Sequence, residues 1–308
     1  MSKITKALEK AARERLQRQE EQPTVAPKAT EIRVVASGLA STRALDTLTI
    51  DPHLVAASDP QSPIAEQYRI LRTNLQSLRK LSDLKTLLVT SSIRGEGKSV
   101  TAINLALTLA QQRHLKVLLM DADLRRGQLH KWLGFEAGRG LSTALTNGLE
   151  LDDLIVTLQD TGLSILPSGP APANPAELLD SGAMKRLLDR LRTQYDVIVI
   201  DSPPVLPVAD PGILGRLVDG VLFVIRSGST QQRTVQQAYE LLKQSKARML
   251  GSVLTHVEHY IPGYYKYYHY YRDDEKAGNG NGNGHGRRSK TVTPPPERST
   301  ESPEDTTS

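Results

Sequence analysis

The stretch that most constrains this chain is Ser91-Ser92-Ile93-Arg94-Gly95-Glu96-Gly97-Lys98-Ser99. An apolar, β-rich run (Leu87, Leu88, Val89, Thr90) leads into it, and a helical pattern (Ile103, Leu105, Ala106, Leu109, Ala110) leads away. Strand, Gly-rich turn, Gly-Lys-Ser and helix is the order that a phosphate-binding P-loop requires. The helix N-terminus leaves backbone N–H groups without partners, and its dipole favours negative charge. Gly95 and Gly97 let the backbone curl around a phosphate without a Cβ in the way. Lys98 is then placed for the β- and γ-phosphates, and the Ser99 hydroxyl for Mg²⁺. Ser92, Arg94, Gly95, Glu96, Gly97, Lys98, Ser99 and Val100 make up the candidate nucleotide-binding loop. Ser92 stands where the generic motif has its first glycine.

Around this loop the chain alternates buried strands and helices. Strands are expected at 85–91, Lys116–Met120, Leu163–Pro167, Tyr195–Ile200, Gly220–Arg226 and Met249–Thr255. Helices are expected from Pro63 to about Leu81, with Ser62 as cap, and from the P-loop to about Gln112. Further helices fall at 128–134, 141–155, from Pro175 to about Thr193 with Asn174 as cap, near Asp210–Leu217, and at Thr230–Ser245. Continuous apolar strands separated by helices mean parallel pairing with both faces covered. The fold class is therefore α/β: a P-loop NTPase with a mostly parallel twisted sheet, helices on both faces, and disordered tails. In such sheets, ligand sites lie at the carboxyl ends of strands.

Three aspartates fall at such ends. Asp201 follows an apolar run and is the expected Mg²⁺-orienting carboxylate. Asp121 and Asp123 form a second acidic pair, and the i, i+2 spacing of a strand would turn both toward the γ-phosphate. Either is a candidate base for an attacking hydroxyl. Arg125 is placed to steady phosphate charge or to pair with these acids. The candidate catalytic set is Lys98, Asp121, Asp123 and Arg125, and the candidate metal set is Ser99, Asp123 and Asp201.

The chain has no cysteine, which excludes disulfides, thiolate catalysis and Cys-based zinc sites. Its formal net charge of +5 is compatible with a membrane surface, nucleic acid or nucleotide, and selects none of them. No apolar run approaches a membrane span. Residues 1–21 read as a basic amphipathic docking helix and 22–60 as a linker, with short strands near Ile32–Val35 and Leu48–Ile50. Residues 61–259 form the P-loop domain. In 260–272, seven of the chain's ten tyrosines cluster: Tyr260, Tyr264, Tyr265, Tyr267, Tyr268, Tyr270 and Tyr271. Beside an NTP site they read as phosphoacceptors. Residues 273–308, rich in Gly, Asn, Pro, Ser and Thr, read as a disordered tail.

Together these motifs resemble the bacterial tyrosine kinases of capsule and exopolysaccharide systems, over about residues 58–272. The Walker A of that family, which admits serine for the first glycine, resembles Ser92–Ser99. Its Walker A′ resembles Leu118–Arg125, and its Walker B resembles Ile198–Pro204. Its Glu-x-x-Arg-x-x-Arg oligomerisation motif is similar to Glu66, Arg69 and Arg72, and its tyrosine cluster to Tyr260–Tyr271. Gly127 stands where relatives often carry proline, a departure expected to matter little.

The resemblance implies an ATP- and Mg²⁺-dependent protein-tyrosine autokinase. It also implies a ring homo-oligomer in which one subunit's tail enters its neighbour's site, controlling polysaccharide polymerisation and export. It implies a separate transmembrane chain-length-determinant activator that recruits the cytoplasmic kinase to the inner face of the plasma membrane, an opposing tyrosine phosphatase, and no nucleic-acid partner. Two alternatives stay open. One is a partitioning-type P-loop ATPase, whose extra loop lysine would occupy the place of Ile93. The other is a nucleotide-gated assembly scaffold without kinase activity.

Overall fold

The computed structural model describes residues 31–36, 45–147 and 151–257. The expected docking helix at 1–21, the tyrosine cluster and the tail after it lie outside these residues. A nine-stranded sheet runs in the order β2-β1-β5-β6-β4-β7-β3-β8-β9. Its parallel block contains β6 (Ser164–Leu166), β4 (Val117–Asp121), β7 (Val197–Asp201), β3 (Thr86–Ser91), β8 (Gly220–Arg226) and β9 (Met249–Thr255). Three antiparallel strands extend one edge: β5 (Val156–Leu158), β1 (Glu31–Ala36) and β2 (Leu45–Thr49).

The central strands β3, β4 and β7 are buried along their whole length, as strands covered on both faces must be. Their period of two divides the core. Leu87, Val89, Val117, Leu119, Val197 and Val199 pack on one face. The alternate residues Leu88, Leu118, Met120, Ile198 and Ile200 pack on the other. The first face is covered by α1 (Val55–Ser58), α2 (Pro63–Leu81), α3 (Lys98–Ala110) and α4 (Leu129–Trp132). The second face is covered by α5 (Leu141–Asn147), α6 (Pro175–Leu179), α7 (Gly182–Gln194), α8 (Asp210–Gly215) and α9 (Gln232–Gln244).

Ser62 caps α2, its side chain accepting from Ala65 N at 3.1 Å, with Pro63 at the first helical position. Three expectations are corrected. Residues 50–60, read as the end of a linker, place Ile50, Leu54 and Ala56 in the core. The helix expected over 141–155 stops at Asn147. A short 3-10 turn at Leu151–Asp153 and strand β5 follow, because Val156-Thr157 is β-branched. The helix expected from Pro175 to Thr193 is two. Ser181, in extended conformation, accepts from Met184 N at 3.3 Å and starts α7 afresh. The Asn174 side chain makes no backbone cap and bonds Glu177 instead.

Candidate active site

Strands β3, β4 and β7 end at one edge of the sheet, so their C-terminal residues meet there. Gly95 and Gly97 have φ of 82° and 91°, left-handed values that a side chain would strain. A Cβ on Gly97 would also lie 3.3 Å from Thr255 Cγ2, while a Cβ on Gly95 would meet nothing within 4 Å. The loop thus curls with its open side at Gly95 and its closed side against β9. Lys98 Nζ donates to Ser99 Oγ at 3.0 Å and stands 3.5 Å from carboxylate oxygens of both Asp123 and Asp201. Ser99 Oγ donates to Asp201 Oδ2 at 2.7 Å.

The loop is held from behind by Glu96, which the motif alone assigns to the nucleotide. Its side chain is buried. Oε2 accepts from Ile93 N at 2.8 Å, and Oε1 accepts from Thr230 Oγ1 at 2.6 Å. Its carbonyl accepts from Thr255 Oγ1 at 2.8 Å. Glu96 therefore ties the loop to the ends of β8 and β9, and does not line the cavity. Ser92 is buried too, with an unpartnered Oγ, and lies outside the cavity lining. The segment after β7 is tied to the same strand end: Val205 N donates to Ser91 O at 2.8 Å and Leu206 N to Ser92 O at 3.2 Å.

The structure separates the two Walker A′ acids. β4 ends at Asp121, so the strand alternation that would aim both carboxylates alike stops there. Asp121 is fully buried and turns into the turn that follows, accepting from Asp123 N and Leu129 N at 3.2 Å each. Burial, reinforced by the nearby Asp201 charge, pushes its carboxyl up to about 8. Asp123 lines the cavity opposite Lys98. Burial also raises the Asp201 carboxyl, with Lys98 and Ser99 pulling against it. Burial opposes the Lys98 charge, yet Asp201, Asp123 and Asp121 together hold its ammonium above its usual value.

Arg125 does not pair with these acids. Its Nε and Nη2 donate to Asp210 at 2.8 and 3.0 Å, which raises the guanidinium further. Gly127 is more constrained than expected: a Cβ there would lie 2.0 Å from Ser168 Oγ and 2.8 Å from Asp121 Oδ2. A larger residue would have to displace Ser168 or the buried acid.

The cavity holds about 560 Å³. Arg94, Gly95, Gly97, Lys98, Ser99, Val100, Asp123, Arg125 and Asp201 line it, as the motifs predict. Sequence reading missed Gln128, Trp132 and the apolar wall of Pro203, Pro204, Pro207 and Val208. The end of the Ile198–Pro204 stretch marks the start of that wall, whereas Trp132 carries no local signal. A larger cleft of about 890 Å³ opens at the amino ends of β4 and β6, away from the P-loop. Lys98, Asp123 and Asp201 converge on the smaller one, the candidate active site.

The donors around Ser99 are all oxygen, which suits Mg²⁺. Among the described residues, no group of three His, Cys, Asp or Glu side chains is disposed to cage a metal. Ser99 Oγ and the carboxylates of Asp201 and Asp123 are the oxygen groups of this cavity that could hold a metal.

Glu66, Arg69 and Arg72 sit on α2, outside this cavity. Glu66 and Arg69 pair with each other, and Arg69 also bonds Pro60 O. Arg72 Nη1 donates to Thr108 O at 3.0 Å near the end of α3, with Nε unpartnered.

Residues 84–253 match the family described as AAA domain. The chain is 40% identical over 203 residues to Tyrosine-protein kinase YwqD of Bacillus subtilis (strain 168), covering 66% of this chain and 85% of that relative. It is 34% identical over 214 residues to Tyrosine-protein kinase CpsD of Streptococcus agalactiae, covering 68% and 91%. The kinase domain of Escherichia coli tyrosine kinase ETK superposes with a TM-score of 0.63 at 32% identity, covering 66% of this chain and 79% of that one. A nucleotide-binding P-loop flanked by acids on two strand ends, in a chain this similar to such relatives, makes it a member of the bacterial tyrosine-protein kinase family, built on an AAA-type domain.

Proposed function

We propose that this chain is an ATP- and Mg²⁺-dependent protein-tyrosine autokinase that phosphorylates the 260–271 cluster of a neighbouring copy. The observation that carries the reading is the convergence of Lys98, Ser99, Asp123 and Asp201 on one cavity. Lys98 and the backbone N–H groups of residues 95–99 neutralise phosphate charge, while Ser99 and Asp201 would hold a metal that would supply further positive charge at the transferring phosphoryl. The phenol oxygen forms the new P–O bond as the β–γ bond breaks. The electron pair leaves on the β-phosphate oxygen, and the phenol proton passes to Asp123. Asp123 is favoured over Asp121 because it faces the cavity, whereas the oxygens of Asp121 are taken by backbone N–H groups.

Transfer in trans requires an oligomer, and Glu66, Arg69 and Arg72 on α2 are the proposed ring contacts. No helix of the described residues is long and apolar enough to cross a membrane. Following the family resemblance, we assign recruitment to the inner face of the plasma membrane to a separate transmembrane activator of the chain-length-determinant type. A tyrosine phosphatase resets the tail. Each added phosphate brings nearly two negative charges, so a multiply phosphorylated tail repels its neighbours and the acidic site. Ring opening and closing then controls exopolysaccharide polymerisation and export.

The test is to incubate the purified full chain with Mg·ATP, with and without a cytoplasmic fragment of the activator, and blot for phosphotyrosine. Signal is expected in the wild type. It should be lost in Lys98→Met and in a chain truncated after His259. Phosphotyrosine made by Lys98→Met would sink the proposal, and its absence from the wild type under both conditions would favour the scaffold.

A further inference from the structure

We propose that Asp210 is a positioning residue for phosphoryl transfer, fixing the guanidinium of Arg125 at the mouth of the nucleotide cavity. The inference rests on the kinase reading above and adds a residue that lies outside every motif. Asp210 opens α8, and its side chain is fully buried, with relative exposure of 0% against 37% for Arg125. An ionised carboxylate in such a place needs a partner, because burying an unpaired charge is costly. Its partner comes from across the cavity: Arg125 belongs to the turn after β4, whereas Asp210 follows the proline-rich segment after β7. Asp210 is an acid in the first turn of α8 but does not cap it, since the helix has no side-chain cap bond and its cap residue is Ala209; a place near the helix start alone would not call for a buried bidentate pair with Arg125.

The pairing is bidentate through Nε and Nη2. Two parallel N–H···O bonds fix the plane of a guanidinium as well as its position. They leave the remaining N–H donors of Arg125 free of Asp210, on a side chain that lines the cavity with Lys98 and Asp123. In-line transfer spreads charge over the oxygens of the moving phosphoryl. A cation whose orientation is set before the reaction stabilises that charge without reorganising. Lys98 is already shared among Ser99, Asp123 and Asp201. Arg125 is thus a second, pre-aimed cation in the same subunit, and Asp210 is what aims it.

The experiment compares wild type, Asp210→Asn, Arg125→Gln, Arg125→Lys and the Asp210→Asn/Arg125→Gln double variant, all in the full chain. Phosphotyrosine formation, ATP hydrolysis, KM for ATP and thermal midpoint are measured for each. Each single variant is expected to lower kcat by about 100-fold, with KM for ATP within about threefold of wild type. The double variant should be no slower than the slower single one, because both changes remove one device. Arg125→Lys should fail like Arg125→Gln, since an ammonium cannot make the forked pair.

Multiplying losses in the double variant would overturn the inference. So would an Asp210→Asn protein of full kcat beside an impaired Arg125→Gln, or rate losses that merely track a fallen thermal midpoint. Arg125→Gln, at a partly exposed side chain, keeps the test open if Asp210→Asn fails to fold: full kcat there refutes the role. If wild type makes no phosphotyrosine, the kinase reading fails, and ATP hydrolysis still reads the pair. The variants must then slow hydrolysis together for the inference to stand.

Discussion

The two ends of the sheet each carry an ionic cluster, and the two are built to opposite specifications. At the amino end of β3, Asp219 is saturated. Its Oδ2 accepts from Lys85 N, Thr86 N and Thr86 Oγ1 at 2.9, 2.7 and 2.8 Å, and its Oδ1 accepts from Arg192 Nη2 at 2.9 Å. Arg192 goes on to Leu217 O at 3.0 Å. At the carboxyl end, Lys98 reaches the carboxylates of Asp123 and Asp201 only at 3.5 Å each. The first cluster satisfies backbone groups that open a strand, and nothing is left over for a ligand. The second leaves its charges loosely paired inside a cavity, with Asp123 and Asp201 each 3.5 Å from one ammonium, as the metal and phosphate of the proposed function would require. Saturation marks structure, and loosely paired charge inside a cavity marks a site.

The comparison breaks if stability and activity respond alike at the two ends. Lys98→Met should have the largest effect, a loss of at least about 1000-fold in transfer rate, with a smaller fall in thermal midpoint than the Asp219 variant. The acids it strands can take up protons, as the raised carboxyls of Asp121 and Asp201 already indicate. Asp219→Ala should lower unfolding free energy by about 3 kcal/mol, a figure held down because Asp219 and Arg192 are each about a quarter exposed. The rate per folded molecule should stay within about twofold of wild type. Denaturant titration beside the kinase assay reads both quantities. A stable but inactive Asp219→Ala would erase the distinction.

Two finer variants sharpen the contrast within the active end. Asp123→Asn should lower kcat by about 100-fold with little change in KM for ATP, whereas full activity would remove it as the base. Glu96→Gln keeps the shape of the loop buttress but makes one of its two acceptors a donor, facing either Ile93 N–H or the Thr230 hydroxyl. It should raise KM for ATP by about tenfold while kcat changes less. A pure kcat defect would instead place Glu96 in the chemistry.

Much of the site was legible because backbone requirements leave marks in sequence. Gly95 and Gly97 need left-handed φ, Lys98-Ser99 must open a helix, and Asp121 and Asp201 end buried strands at neighbouring register positions. The sheet was legible for the same reason, since strands buried on both faces read as apolar runs. What was not legible depends on which way a side chain turns once a strand has ended. Asp121 and Asp123 look equivalent in sequence, yet one is absorbed by backbone N–H groups and the other faces the cavity. Glu96 sits inside the motif but turns away from the cavity, toward Ile93 and Thr230. Asp210, 85 residues from Arg125, looks like an ordinary acid at a helix start. Strand β5 and the Ser181 break were missed where three or four residues decide the local state.

The last variant concerns Asp121, and it tests the difference between the paired acids by pH. Its folded carboxyl, near 8, lies above its unfolded value of 3.8. Between those values the folded state holds a proton that the unfolded state has lost. Stability from this group is therefore complete below about pH 4 and drains away as pH rises toward 8. A side-chain amide cannot titrate, so in Asp121→Asn this contribution to the slope vanishes. Nucleotide-free protein in chelator should show a thermal midpoint that falls more steeply from pH 5 to pH 8 in wild type than in Asp121→Asn. The two curves should draw together as pH falls toward about 4, where the carboxyl is protonated in the folded and increasingly in the unfolded state. Parallel curves would mean that Asp121 is already ionised in the folded protein, sharing the Lys98 charge as Asp123 does, and the structural division between the two acids would then fail.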